Sequence, residues 1–297
     1  MMTRKVRVVT ESGGCLTRKQ AADLDIDILP MQIFIDDKSY DDGVDLDAQG
    51  LYDLMEDGSY AMTSQPKAAL AEELFAKYKK EGVTDVIAVN MSPGLSGTNA
   101  LMLSTGKQFD IPVYTTDTFT TLAIEGYWTK AARQLVEQGV EPEEIIRRLA
   151  ASTTRSCGYL LPYDLNHLAK GGRLTPFAAK FANMLQIKPI CVVSIDTKGK
   201  VGMSEKVRTM KKAIRRTFEL CQKGIAERNG DDYHDYVFYL MDSRNPEAMA
   251  YGEELMAKFF PDVHYNKDVL SPVINCHTGM KSFAIQYAPR VEGTTIE

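Results

Sequence analysis

What this sequence lacks narrows the options first. Its five cysteines (Cys15, Cys157, Cys191, Cys221, Cys276) are odd in number, scattered, and free of any C-x-x-C pair. That pattern excludes a disulfide framework and a zinc cluster, and it fits a reducing compartment. Histidine is scarce, with only His167, His234, His264 and His277. No H-E-x-x-H, no nucleophile elbow and no Ser-His-Asp order is present, so the common hydrolase signatures are missing. Basic surplus is absent too: 35 Lys and Arg against 40 Asp and Glu give a net charge of −5. A dedicated nucleic-acid binder would carry a basic domain or stripe. Long apolar runs are also missing, so neither a signal peptide nor a membrane span is expected, and the protein is placed in the cytoplasm.

What is present reads as a chain of two lobes. At 297 residues it exceeds the size at which single cores tend to split. The first half alternates short apolar runs with amphipathic stretches. Val6 to Thr10 reads as a strand, and Thr17 to Gln20 as a capping box opening a helix. Ile28 to Ile35 reads as a second strand interrupted by Pro30. Helices are expected over Leu46 to Met55, Lys67 to Lys80, from Thr98, and over Thr121 to Glu137, with strands at Val83 to Met91 and Val113 to Thr116. Strand, loop and helix in repetition predict a parallel sheet in a three-layer α/β/α lobe over 1–155.

The pattern then changes. Helices are expected near Tyr163 to Ala169, ending at Gly171-Gly172, and after Pro176. Lys188 to Ile195 and Val201 to Val207 flank a turn and predict an antiparallel hairpin. A helix over Thr209 to Arg228, a strand at Tyr236 to Met241, a helix over Pro246 to Phe259 and two closing strands complete an α+β lobe with a mixed sheet over 156–297. The basic residues Lys206, Arg208, Lys211, Lys212, Arg215 and Arg216 have the spacing of a solvated helix face.

Three segments carry candidate chemistry. Asn90 to Thr98 (NMSPGLSGT) lies between a strand and a helix, where open α/β sheets place ligands. Gly94 and Gly97 permit close approach, and Ser96 or Thr98 offers a hydroxyl beside helix-start amides. It is neither a Walker A loop nor G-x-G-x-x-G. Met62 to Pro66 (MTSQP) is a second hydroxyl-rich helix lead, with Ser64 as N-cap and Thr63 pointing elsewhere. Arg173 follows a glycine pair and suits an anion. His277 follows an apolar run, where a strand end would deliver it to a site. Asp41, Asp42, Asp45 and Asp47 do not match an EF-hand and read as a solvated loop.

Together these segments resemble the DegV family: Val9 to Ser12, Ile28 to Pro30, the Tyr40 loop, Thr63 to Pro66, Leu95 to Thr98, Lys170 to Arg173, Lys188-Pro189 and His277 to Gly279, in this order across nearly the whole chain. The resemblance implies a two-lobed DegV-like fold holding a long-chain fatty acid such as palmitate between the lobes. It assigns the carboxylate to Thr63 and Ser96 and places Arg173, His277 and Gly97 at the head group or entrance. It implies a non-catalytic carrier without cofactor or metal, a possible binding subunit for a fatty acid kinase that makes an acyl-phosphate. Nucleic acid and stable membrane insertion are not implied. Burying about fifteen methylenes at about 0.8 kcal/mol each exceeds the about 1.5–3 kcal/mol of a charge-assisted hydrogen bond. The tail should therefore set affinity and the hydroxyls orientation.

The sequence departs from the family pattern at Glu11, where Asp is usual, at Pro93, at Thr118 to Leu122, and at Met280-Lys281 beside His277. The alternative is an enzyme acting on a small anionic substrate through Ser96 or Thr63. That reading is ranked lower because no general base is evident beside either hydroxyl.

Overall fold

The computed structural model describes residues 4–56, 60–162, 168–169, 173–175, 187–229 and 232–296. The expected helix after Pro176, the Gly171-Gly172 stop and most of Tyr163 to Ala169 lie outside them.

The N-terminal sheet is parallel throughout. Strand β1 (Val6–Glu11) pairs with β2 (Ile26–Leu29) on one side and β6 (Asp85–Ala88) on the other, and β6 pairs with β7 (Val113–Tyr114). Alternation along β1 and β6 splits the core. Val9, Val86 and Ala88 face Phe75 and Tyr78 of α3 (Ala68–Glu81) and Met102 of α4 (Thr98–Gln108). Val8 and Ile87 face Tyr127 and Trp128 of α5 (Ala123–Glu137), which packs beside α6 (Pro142–Thr153). The expected three layers are therefore present.

The single run expected over Ile28 to Ile35 is instead two strands in two sheets. Pro30 has no N–H for a ladder, and the chain leaves the edge of the first sheet there. It continues as β3 (Gln32–Ile35), flanked antiparallel by β4 (Lys38–Asp41) and β5 (Ala61–Ser64). Asp36 at φ 52° makes the tight β3–β4 turn. This small sheet was not foreseen, and it corrects the reading of Met62 to Pro66. Thr63 and Ser64 end a strand, and α3 begins only at Ala68, after Lys67, with no side-chain cap. Two other helices begin before this point: α1 (Arg18–Asp23), with its Thr17–Gln20 capping box, and α2 (Ala48–Glu56).

Past Thr153 a second sheet runs in the order β10-β9-β8-β13-β11-β12. Its strands are β8 (Cys157–Leu161), β9 (Lys188–Val193), β10 (Gly202–Val207), β11 (Tyr236–Asp242), β12 (Tyr265–Val269) and β13 (Phe283–Pro289). All pairs are antiparallel except β11 with β12, as a mixed sheet requires. One face, with Leu161, Phe238, Leu240 and Ile285, packs against α7 (Met210–Asn229) and α8 (Pro246–Phe259). The other face, with Leu160, Tyr239, Met241 and Ala284, shares a continuous apolar cluster with α5 of the first lobe. A short helix, α9 (Pro272–Thr278), returns to pack on β3 and β5. His277 therefore sits on a helix and not at a strand end. In α7, Arg216 pairs with Glu205 and Glu219 near the surface, in keeping with a solvated basic face.

Candidate functional site

Where the inner face of the second sheet meets the first lobe, side chains stop short of filling the space. Gly158 on β8 and Ala284 on β13 supply little bulk, and they leave a narrow cavity where the second sheet faces the first lobe. Its wall is largely apolar and includes Met31, Met91, Leu95, Leu122, Val193 and Ile274. Thr63, Arg173, His277 and Thr278 add polar groups to the same wall.

Two of the sequence-predicted residues meet directly. Thr63 Oγ1 on β5 lies 2.6 Å from His277 Nε2 on α9, a contact made because α9 packs across that strand. This corrects the expectation that neither hydroxyl has a base beside it. Arg173 donates from Nε to the carbonyl of Leu95 at 3.5 Å, which ties it to the serine loop. Gly97 abuts Gln65: a Cβ there would collide with the Gln65 side-chain oxygen, so the two predicted segments touch. Ser96 itself is half-buried and is not on the cavity wall, although its neighbour Leu95 is. Its Oγ accepts from Thr98 N at 3.3 Å and lies 2.9 Å from Thr98 Oγ1.

Behind that loop is a buried polar system that sequence reasoning missed. Glu11, at the end of β1, accepts from Met91 N at 2.9 Å through Oε1 and from Thr98 Oγ1 through Oε2. Glu125 in the first turn of α5 accepts from Thr10 Oγ1 at 3.3 Å. Burial is the main cause that raises both carboxyls above their ordinary range; repulsion from Asp42 adds to it at Glu11, and repulsion from Glu11 adds to it at Glu125. Asp42, expected in a solvated loop, is only 2% exposed, and burial pushes it up to about 7. Its neighbour Asp41 does reach outward, pairing with Lys67 at 2.8 Å. The one available signal was Glu11 itself, an acid at the end of a buried strand.

The Thr118 to Leu122 segment forms another part of the wall. Phe119 (φ 51°) and Leu122 (φ 67°, ψ −154°) hold conformations that non-glycine residues avoid. Strain of this kind costs on the order of 1–3 kcal/mol and persists only when neighbours fix it. Gln286 of β13 does so. It donates to Thr121 O at 2.8 Å and to Thr120 Oγ1 at 3.1 Å, and it accepts from Ile124 N at 3.2 Å.

All five cysteines are free. Among the described residues, no group of acids, cysteines or histidines is arranged to hold a metal ion, and no helix is long and apolar enough to cross a membrane.

Comparison with known proteins identifies the family and the fold. The DegV domain-containing protein YqaC of Lactococcus lactis is 32% identical over 294 residues, covering 96% of this chain and 99% of that protein. Among solved structures, a fatty acid binding DegV family protein from Streptococcus agalactiae superposes with a TM-score of 0.87 at 27% identity, covering 97% of this chain and all of that one. DegV from Bacillus subtilis, described as a fatty acid binding protein, superposes with a TM-score of 0.85, also at 27% identity, with the same coverage. A family model described as "Uncharacterised protein, DegV family" matches residues 5–290. The chain belongs to the DegV family.

Proposed function

We propose that this protein binds one long-chain fatty acid such as palmitate, with the tail in the interlobe cavity and the carboxylate on Thr63 and Ser96. The observation that carries this reading is the apolar cavity with the Thr63–His277 pair on its wall. The two relatives at 27% identity, both described as fatty acid binding proteins, support the ligand class. Arg173 and His277 line the same wall and supply donors for the head group, and Gly97 lets the serine loop approach Gln65. The division of labour falls into an N-terminal lobe over 1–155 that grips the acid and a C-terminal lobe over 156–297 that encloses most of the chain. The protein acts without catalysing a reaction, in the cytoplasm, and hands the exposed acid to a fatty acid kinase for acyl-phosphate formation.

Mass spectrometry of the denatured protein tests the ligand: a co-purifying C14 to C18 acid is expected, and an empty protein that takes up no added palmitate would refute the reading. Acyl-phosphate formation from the loaded protein with ATP and a bacterial fatty acid kinase tests the partner.

One observation favours a second reading, in which Thr63 is a nucleophile. A hydroxyl 2.6 Å from an imidazole nitrogen has the geometry of base activation. Covalent labelling of Thr63 by an electrophilic acyl probe would favour that reading over a carrier.

A further inference from the structure

We propose that Glu11 is a positioning residue for the Ser96 hydroxyl, and that a proton carried on Glu11 frees that hydroxyl to donate to the ligand carboxylate, so that fatty acid and proton bind together. The inference rests on the carboxylate site proposed above.

The argument is a count of hydrogens. A hydroxyl has one hydrogen to donate and two lone pairs to accept with. Thr98 Oγ1 stands between Glu11 Oε2 and Ser96 Oγ, bonded to both. When Glu11 is ionised it can only accept, so the Thr98 hydrogen must point at it. The 2.9 Å contact between Thr98 and Ser96 is then favourable only if Ser96 donates its own hydrogen to Thr98. Ser96 has nothing left to offer an anion, and its lone pairs repel one. When Glu11 is protonated on Oε2, every bond reverses. Glu11 donates to Thr98, Thr98 donates to Ser96, and the Ser96 hydrogen is released outward. Oε1 keeps its bond from Met91 N in both states.

The surroundings favour the protonated form when an acid binds. Glu11 is fully buried. The acids facing it are Glu125 from α5 and Asp42 from the segment after β4, both buried as well. The Cys15 thiol lies near the same acids, and burial holds it neutral. Among the described residues, no cation is one of the groups that shift Glu11, Glu125 or Asp42. Among the described residues of the cavity wall, Arg173 and His277 are the groups able to carry positive charge toward the ligand. A carboxylate arriving at Ser96 adds a further negative charge next to this acidic set, which draws a proton onto Glu11. Burial already raises Glu11 from its ordinary carboxyl range, so the proton is within reach near neutrality.

Glu11→Gln provides the test, because glutamine is the shape of protonated glutamate. Its oxygen accepts from Met91 N and its amide donates to Thr98, locking the relay in the releasing direction. Palmitate affinity would be measured for both proteins from pH 6 to 8.5, with calorimetry in phosphate and in Tris. For the native protein, affinity should fall by up to tenfold per pH unit above the Glu11 titration, and binding enthalpy should differ between the buffers as a proton is taken up. Glu11→Gln should bind at least tenfold more tightly than the native protein at pH 8.5, with a flatter profile and no buffer dependence. The free acid's own titration is common to both proteins and cancels in their difference. Thr98→Val, which cuts the relay at its midpoint, should also lose the buffer dependence and replaces Glu11→Gln if that variant does not fold. Equal pH slopes for native and variant proteins, or weaker binding by Glu11→Gln throughout, would overturn the inference while leaving the site intact. Full palmitate affinity in Ser96→Ala would instead refute the site on which it depends.

Discussion

Gln286 on β13 grips Thr121, donating to its carbonyl at 2.8 Å, while its own oxygen receives the Ile124 amide at the start of α5. One side chain thus joins the second sheet to the strained turn of the first lobe. Gln286→Leu would leave that buried amide without a partner and that carbonyl with only the 3.5 Å contact from Thr120 Oγ1. The expected cost is about 1–3 kcal/mol for the orphaned amide alone. A lowered denaturant midpoint together with weaker fatty acid binding would bear this out, and an unchanged midpoint would show that the clamp is redundant.

Removing both proposed carboxylate hydroxyls, in Thr63→Ala with Ser96→Ala, should leave the fold intact because neither residue is part of the main apolar clusters. Affinity for palmitate should drop at least roughly 10- to 100-fold, the equivalent of one of the two charge-assisted bonds removed. Displacement of a fluorescent fatty acid measures it. Unaltered affinity and unaltered transfer to a kinase would show that the acid sits elsewhere.

Filling the cavity separates tail from head group. Ala284 lies on the wall and is buried, and phenylalanine at this position would project into the empty space. Ala284→Phe should purify without bound lipid and refuse added palmitate, while its thermal unfolding stays cooperative. Lipid recovered at native levels would mean that the chain runs along another route.

Asp42 gives stability a pH dependence opposite to that of salt-bridged acids. Burial raises it from 3.8 to about 7, so between these values the folded state holds a proton that the unfolded chain releases. The stabilisation is fully present below about pH 4 and is lost as pH rises through about 7. Asp42→Asn should flatten that decline and raise stability at pH 8 by an amount on the order of 2–4 kcal/mol. Urea denaturation at pH 5 and pH 8 distinguishes the cases, and an equal pH response in both proteins would discount the buried acid.

Regular elements with strong local signals were legible in the sequence. The helix over Pro246 to Phe259 is found with those bounds, because Asn245 caps it, accepting from Ala248 N at 3.2 Å, and Pro246 suits the first turn. The Thr17 capping box forms as its spacing predicts. The small sheet was not legible. Lys38 to Asp41 is polar and lacks alternation, and the four residues of β5 were absorbed into the approach to α3. The helix α9 is seven residues long and apolar, which period alone cannot tell from a strand. For the site, hydroxyl motifs pointed to Thr63 and its neighbourhood, but the partnership with His277 depends on tertiary packing. Glu125 and Asp42 were invisible as buried groups, since an acid in a sequence reads as solvated until its surroundings are known.

Thr63 and His277 are separated by 214 positions along the polypeptide. During synthesis at roughly 5–20 residues per second, the imidazole is added on the order of ten to forty seconds after the threonine. Throughout that interval the first lobe can form its parallel sheet, yet the receptacle lacks both its far wall and its histidine. If the chain binds lipid as proposed, capture is a late event in the life of the nascent polypeptide, because a ribosome stalled before α9 displays a cavity that still lacks part of its wall.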